Sequence, residues 1–293
     1  MIIRSCLTCT FLCAIFLTEA QTGSAVGAPQ PDTFGPQSGA RQYIDSLYRQ
    51  GRFFDASIGC ERLLFEGGDS ADIFYAVVRK TQCLKQQQLF DQAVSFLNAW
   101  QSYSFPDSGQ ARIHYEQIIC NYLGGHFENV FSLVDRWPYL HGGQPPAALL
   151  KILKILSLNE LQQWKTAGDA YREFIAGRQL TSALPDLYAQ LPQLKSVEKA
   201  QWLSTFIPGA GQFYAGRPGE AIFSILVQAA GIYFGVLSFE QHYYVSAWLV
   251  GAALFGSFHM GGVRRSEVLV RQYNRKKILA FNEKVRTQLL QLE

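Results

Sequence analysis

Three sets of residues in this sequence could do chemistry, each of a different kind. Gly209-Ala210-Gly211 could cradle phosphate, since closely spaced glycines let backbone amides approach a pyrophosphate. A dinucleotide site needs GxGxxG between a strand and a helix, however, and Tyr214 stands where the third glycine belongs. A Walker loop would need GKS or GKT, which is absent. His114, His126 and His141 could move protons or hold a metal, but none lies in HExxH or another ligand spacing, so they read as surface or capping residues. Cys60, Cys83 and Cys120 form an odd set without CxxC spacing, which argues against zinc and against a disulfide framework. They read as small buried hydrophobes. GxSxG, DxD and a Cys-His pair with an orienting third group are all missing. The sequence therefore assigns no catalytic, cofactor-binding or metal residue and predicts a protein that is not an enzyme.

The elements that must position these residues begin with an export signal. Arg4, an apolar run from Cys6 to Leu17 and then Thr18-Glu19-Ala20 read as a signal peptide over residues 1–20. A second cut site follows Val26-Gly27-Ala28, and the same segment left uncut would be an anchor helix. Either way the residues that follow face outward. Residues 21–39, rich in Gly, Pro, Ser and Gln, read as a disordered leader. The formal net charge of +3 comes without a dense basic patch interleaved with aromatics, so no nucleic-acid partner is expected.

Residues 40–180 carry apolar residues at helical spacing and a period of 37. Ala56, Ala93, Val130 and Ala167 fall at that interval, and an aromatic precedes each by three: Phe53, Phe90, Phe127 and Trp164. A bulky apolar residue follows each by seven (Leu63, Trp100, Trp137, Phe174), and a small one precedes each by ten (Ser46, Cys83, Cys120, Ser157). These columns fit a helix-turn-helix unit: the small residue lets the first helix come close, and the aromatic marks the turn into the second. One pair cannot bury its own face, so copies stack into a solenoid with a concave side. The segments GRFFDA, from Gly51, and GHFENV, from Gly125, resemble the centre of a tetratricopeptide repeat. The departures are the longer period and Gln88 and Gln162 in place of glycine in the second and fourth copies. The resemblance implies a groove that binds a protein or peptide, lined by first-helix residues such as Tyr43, Tyr48, Tyr75, Tyr115 and Tyr122.

After a linker over 181–199, residues 200–263 change character. Ala221–Phe239 and Tyr243–Val263 are uncharged runs separated only by Glu240-Gln241-His242, which predicts a pair of membrane-spanning helices. Gly231 and Gly235 in the first run, and Ser257 and Gly261 in the second, predict close helix packing and admit an oligomer through the hairpin. Gln228 and His259 predict a hydrogen bond between the two helices. The stretch IPGAGQFYAGRPGEAI resembles the entry motif of the two-transmembrane hairpin domain, with Gly209, Gly211, Phe213, Tyr214, Gly216 and Arg217 matching it. Pro208 is a feature of the bacterial exported variants of that domain, and Gln212 stands where a histidine and arginine usually do. The resemblance implies architecture and says nearly nothing about activity.

The tail, 264–293, holds eight basic and three acidic residues, with Ile278, Val285, Leu289 and Leu292 at helical spacing, as an amphipathic helix on an anionic membrane face would. Two spans would return this basic tail to the outside, against the positive-inside tendency, so a third crossing by 200–216 is expected, with a re-entrant piece as the alternative. The sequence thus predicts an all-α fold: a helical-repeat solenoid of about four 37-residue units and a C-terminal transmembrane hairpin. Its expected role is a non-enzymatic scaffold or adaptor at the bacterial cytoplasmic membrane, with the repeats on the periplasmic side and outer-membrane association left open. Its partners are a protein or peptide and membrane lipid, with no cofactor. The competing expectation is a transport or membrane-insertion component whose functional element is the hairpin.

Overall fold

The computed structural model describes residues 39–178 and 186–292, apart from the side chains of Val250 and Leu254. The expected signal peptide, nearly all of the leader and part of the linker lie outside the described residues. Those described are all-α, with no strand. The chain divides into two compact units: the first runs to Tyr188 and takes in Leu289–Glu293, and the second is Ala189–Gln288.

In the first unit, eight helices follow one another: α1 (Gly39–Arg49), α2 (Phe53–Glu66), α3 (Ser70–Gln86), α4 (Phe90–Trp100), α5 (Asp107–Leu123), α6 (Phe127–Leu140), α7 (Ala148–Glu160) and α8 (Trp164–Gly177). Each packs on the next in the chain, and α3 with α5 and α5 with α7 also touch. One turn recurs at the 37-residue interval. Gly51, Gln88, Gly125 and Gln162 all have φ between 58° and 79°. In each case the following amide bonds back five residues: Arg52 to the Leu47 carbonyl, Leu89 to Leu84, His126 to Asn121 and Gln163 to Leu158. This is the Schellman arrangement that closes a helix on a left-handed residue.

The residue columns sit on this turn in the same way each time. Phe53, Phe90, Phe127 and Trp164 are the first residues of α2, α4, α6 and α8, all half-buried. Ala56, Ala93, Val130 and Ala167, one turn on, are fully buried. Cys83, Cys120 and Ser157 are fully buried on the first helices, while Ser46 is only partly so. Asp69 caps α3, accepting the Asp72 amide at 2.7 Å. Beyond α8, Tyr188 lies over Gly168, where any side chain would meet it, and its hydroxyl donates to Asn159 Oδ1 at 2.9 Å.

The second unit comprises α9 (Val197–Phe206), α10 (Ala210–Ala215), α11 (Pro218–Glu240), the short α12 (Tyr244–Ser246), a π-helical turn (Ala247–Ala252) and α13 (Ala253–Leu290). Ser196 caps α9 and Pro218 opens α11, the position where a missing amide costs nothing. Among the described residues α11 is the one helix long and apolar enough to cross a membrane. The second apolar run is not a separate element: after the π turn it continues without a break into the basic tail as the 38-residue α13. The expected boundaries therefore shift. The latter part of the 181–199 linker joins this unit because Lys195 is tied to Asn274, its amide donating to Oδ1 and its carbonyl accepting from Nδ2, both at 2.8 Å.

The expected third crossing by 200–216 does not form. The segment is a 10-residue helix and a 6-residue helix folded back on each other, and 10 helical residues span about 15 Å of a core about 30 Å thick. Ala200, Ala215, Leu269 and Val270 bury one another instead, with Val197 and Tyr214 packed alongside.

Candidate functional site

The entry motif is where four helices of the second unit are fitted together. α9 ends at Phe206, and the chain turns at Gly209, whose φ is +81°. A Cβ there would also lie 2.8 Å from the Ala221 carbonyl, so glycine is required on two counts. Gly211 is more confined still: a Cβ would stand 2.1 Å from Ser204 Oγ, 2.4 Å from the Ala200 carbonyl and 2.7 Å from Ser266 Cβ. Its amide donates to Ser204 Oγ at 3.1 Å, and that of Ala210 goes to the Ile207 carbonyl at 3.1 Å. These amides are taken internally, so the glycines serve close packing and not phosphate.

Gly216, at φ +83°, closes α10, and the Arg217 amide returns to the Gln212 carbonyl at 2.9 Å. This repeats the turn of the first unit. Tyr214 ties the motif to its surroundings: its hydroxyl accepts the Ser196 amide at 3.2 Å and its carbonyl accepts Lys195 Nζ at 2.7 Å. That ammonium also stands 4.1 Å from the centre of the Tyr273 ring. Pro208 is half-buried and Arg217 exposed. Phe213 is exposed, as are Ile207 and the stacked pair Trp202 and Phe206.

α11 runs antiparallel to the second apolar run, as a series of contacts shows: Gly235 with Gly251, Gln228 with His259, Ser224 with Gly262, and Glu220 with Arg265. At the first, a Cβ on Gly251 would lie 2.7 Å from the Gly235 Cα, and 3.7 Å from the Gly231 carbonyl. At the second, Gln228 Oε1 and His259 Nδ1 are 3.3 Å apart, while Gln228 Nε2 donates to Ser224 Oγ at 3.0 Å. At the last, Arg265 grips Glu220 through Nε and Nη2, at 2.7 and 3.2 Å.

Ser257 and Gly261 do not take the packing role expected of them. A Cβ on Gly261 would meet nothing within 4 Å, and both residues line a pocket of about 620 Å³. Gly251, which lies in the π turn, and Gly262 stand at the interface in their place. Sequence periodicity passed over both, and also Gln212, whose buried amide donates to the Gly262 carbonyl at 3.3 Å.

In the first unit the polar groups pair along the first helices. Asp45 accepts from the Tyr75 hydroxyl at 2.6 Å and Arg79 at 2.7 Å, and Arg79 lies 4.8 Å over the Tyr48 ring. Tyr43 is exposed, Tyr115 partly so, and Tyr122 is buried against Phe127. Glu116 is fully buried between Lys85, at 2.5 Å, and Arg112, at 2.7 Å. Burial pushes its carboxyl up, but the two cations together hold it below the usual 4.5. His114 and His141, read from the sequence as surface or capping residues, are neighbours with Nδ1 and Nε2 3.0 Å apart, and His114 is buried. Burial and the adjoining ring depress His114 below 6.5, and burial depresses His141, with Asp107 opposing.

Cys60, Cys83 and Cys120 are free and buried, and burial pushes them up to about 12, 11 and 12. Such thiols are unreactive at neutral pH. Among the described residues no three His, Cys, Asp or Glu side chains converge as a metal site.

No known protein family, no curated protein and no solved structure matches the chain. The tetratricopeptide-like and two-transmembrane likenesses rest on their residues alone.

Proposed function

We propose that this protein is a non-enzymatic scaffold or adaptor of the bacterial envelope, held in the membrane by its second unit. On this reading α11 and the run from Tyr244 to Val263 cross the bilayer as a hairpin. The first unit is a tetratricopeptide-like solenoid that takes a protein or peptide segment in its groove. The observation that carries the proposal is the inverted surface of the hairpin. Phe223, Leu226, Ile232 and Trp248 are exposed while Gln212, Ser224 and Gln228 are buried. Water would oppose that arrangement and hydrocarbon favours it.

The second unit also bears on sidedness. The segment before α11 and the helix after Val263 are joined through Ser266, whose hydroxyl reaches the Ala200 carbonyl at 3.4 Å, and through Lys195 with Asn274. Two crossings then leave the lead-in and the basic tail on one side. On the export reading that side is the periplasm.

The test is labelling in intact cells with a membrane-impermeant maleimide, the native cysteines replaced by alanine. Cysteines at Gln241 and at Lys277 should label from opposite sides, Lys277 from the periplasm. Labelling of both from one side would remove the hairpin. Labelling at Gln241 in intact cells, with Lys277 labelled only after lysis, would keep the hairpin and remove export. A photo-crosslinker at Tyr43, on a first helix, should give a discrete adduct that one at Phe65 does not; equal adducts would remove the groove. The inlay of Gln212, Gln228 and His259 inside the hairpin favours a second reading, a transport or insertion component. In that case substitutions at those three residues, and none in the repeats, would abolish activity in the cell.

A further inference from the structure

Residues 200–216 include no charged residue, and Lys199 and Arg217, both exposed, stand at the two ends. α9 leads out to the turn at Pro208 and Gly209, and α10 leads back, so that Lys199 Nζ lies 5.5 Å from the centre of the Tyr214 ring. α9 also runs antiparallel to the charged part of α13. Lys195 is tied to Asn274, Gln201 Nε2 donates to Glu267 Oε2 at 2.8 Å, and the Ala200 carbonyl accepts from Ser266. The turn is thereby carried toward the apolar part of the hairpin.

How far it reaches can be read against the Glu220 and Arg265 ion pair. A Cβ on Gly209 would lie 2.8 Å from the Ala221 carbonyl and 3.0 Å from Ile225 Cγ1, and Gln212 donates to the Gly262 carbonyl. Ile225 comes five residues after Glu220, and Gly262 three before Arg265. At about 1.5 Å per residue these levels are about 7.5 and 4.5 Å to the apolar side of the pair.

The surface of this excursion is apolar. Trp202 and Phe206 stack with ring centres 5.3 Å apart, and both are exposed, as are Ile207 and Phe213. Ala200, Ser204, Gly211 and Ala215 are buried. Around the turn the amides of Ile207, Ala210, Gly211 and Phe213 all find acceptors within the segment, as backbone at membrane depth requires. We infer that α9 and α10 form a wedge inserted into one leaflet, the leaflet on the side of the basic tail. Trp202, Phe206, Ile207 and Phe213 meet phospholipid acyl chains, and Lys199 and Arg217 lie at the phosphates. The inference rests on the membrane reading of the hairpin above and adds a lipid contact that enters and leaves by the same face.

The experiment places a nitroxide on cysteine at Thr205, Ile232 or Phe65 of the full chain, the native cysteines replaced by alanine. The chain is held in vesicles of phosphatidylethanolamine and phosphatidylglycerol, and collisions with oxygen and with a water-soluble nickel complex are compared. Thr205, exposed on α9, should favour oxygen and read roughly 5 to 10 Å below the phosphates, the depth of an interfacial helix. Ile232 should read deeper, and Phe65 should favour nickel. Nickel preference at Thr205 with Ile232 in hydrocarbon overturns the wedge and keeps the hairpin. A Thr205 label reached by neither reagent puts protein over the patch and also overturns it. Nickel preference at Ile232 as well removes the membrane reading and the wedge with it. Should Thr205→Cys fail to fold, the unlabelled chain gives the answer: acyl-brominated phospholipid should quench a share of the tryptophan emission that Trp202→Phe removes, and equal quenching of both chains overturns the wedge.

Discussion

In the first unit, helices meet through alanine, cysteine and the edges of aromatic rings, and most charges face out. In the hairpin they meet through Gly235 and Gly251 with Gln228, Ser224 and His259 between them, and aromatic and aliphatic side chains face out. If the second unit sits in a bilayer, as proposed above, each unit hides what its surroundings would reject. Apolar area is the driving force only where water lies outside; elsewhere backbone approach and internal hydrogen bonds must hold helices together. Among the described residues of the first unit the strongest exception is Glu116, a charge fully enclosed with its two cations, and Arg41 is buried beside Asp72.

The sharpest break of this contrast is Gly211→Leu. With 2.1 Å from its Cβ to Ser204 Oγ, the second unit should lose about 4 kcal/mol or fail to assemble, read as rapid proteolysis between α9 and α13 with the repeats intact. Next comes Glu116→Gln, which leaves Lys85 and Arg112 without their anion and should cost the repeats roughly 3 to 5 kcal/mol by denaturant titration. Because Glu116 is depressed below 4.5, its stabilisation is complete above that value and is lost as pH falls through its folded value. The variant should lack that acid limb.

Ile232→Asp, on the outward face of α11, should lower membrane insertion by about 2.5 to 3.5 kcal/mol, while Phe65→Asp, more exposed but on the repeats, should change stability by less than about 0.5 kcal/mol. Equal effects would dissolve the distinction between the two surfaces. The histidine pair gives a milder test. Both rings are depressed below 6.5, so stability should be full above that pH and decline below it, and His141→Asn should flatten the decline in melts taken over roughly pH 5 to 7. The smallest effect runs the other way: Gln88→Gly, at φ 59°, should stabilise the repeats by about 0.5 to 1 kcal/mol.

How far the sequence could be read differs between the units for the same reason. Phe53, Phe90, Phe127 and Trp164 announce themselves because the pattern recurs four times at a 37-residue interval, and the all-α class follows from the three-and-four spacing of the apolar residues between them. Gln88 and Gln162 look like departures when judged by side chain, yet the backbone there is left-handed as it is at Gly51 and Gly125. The hairpin offers one copy only. Its small residues were countable, but small-xxx-small spacing alone selects Ser257 and Gly261 where Gly251 and Gly262 pack. Gln212 and the nearness of His114 to His141 are tertiary facts without a local pattern.

The left-handed turn has a consequence for the order of folding. It occurs in both units, at Gly216 and His242 as well as at the four repeat positions, and its bonds join residues at most five apart. Each reversal therefore closes before any distant partner has been made, on the microsecond scale of local elements. A chain delivered amino-terminus first would present finished helix pairs one after another, with little unpaired surface for a chaperone to shield.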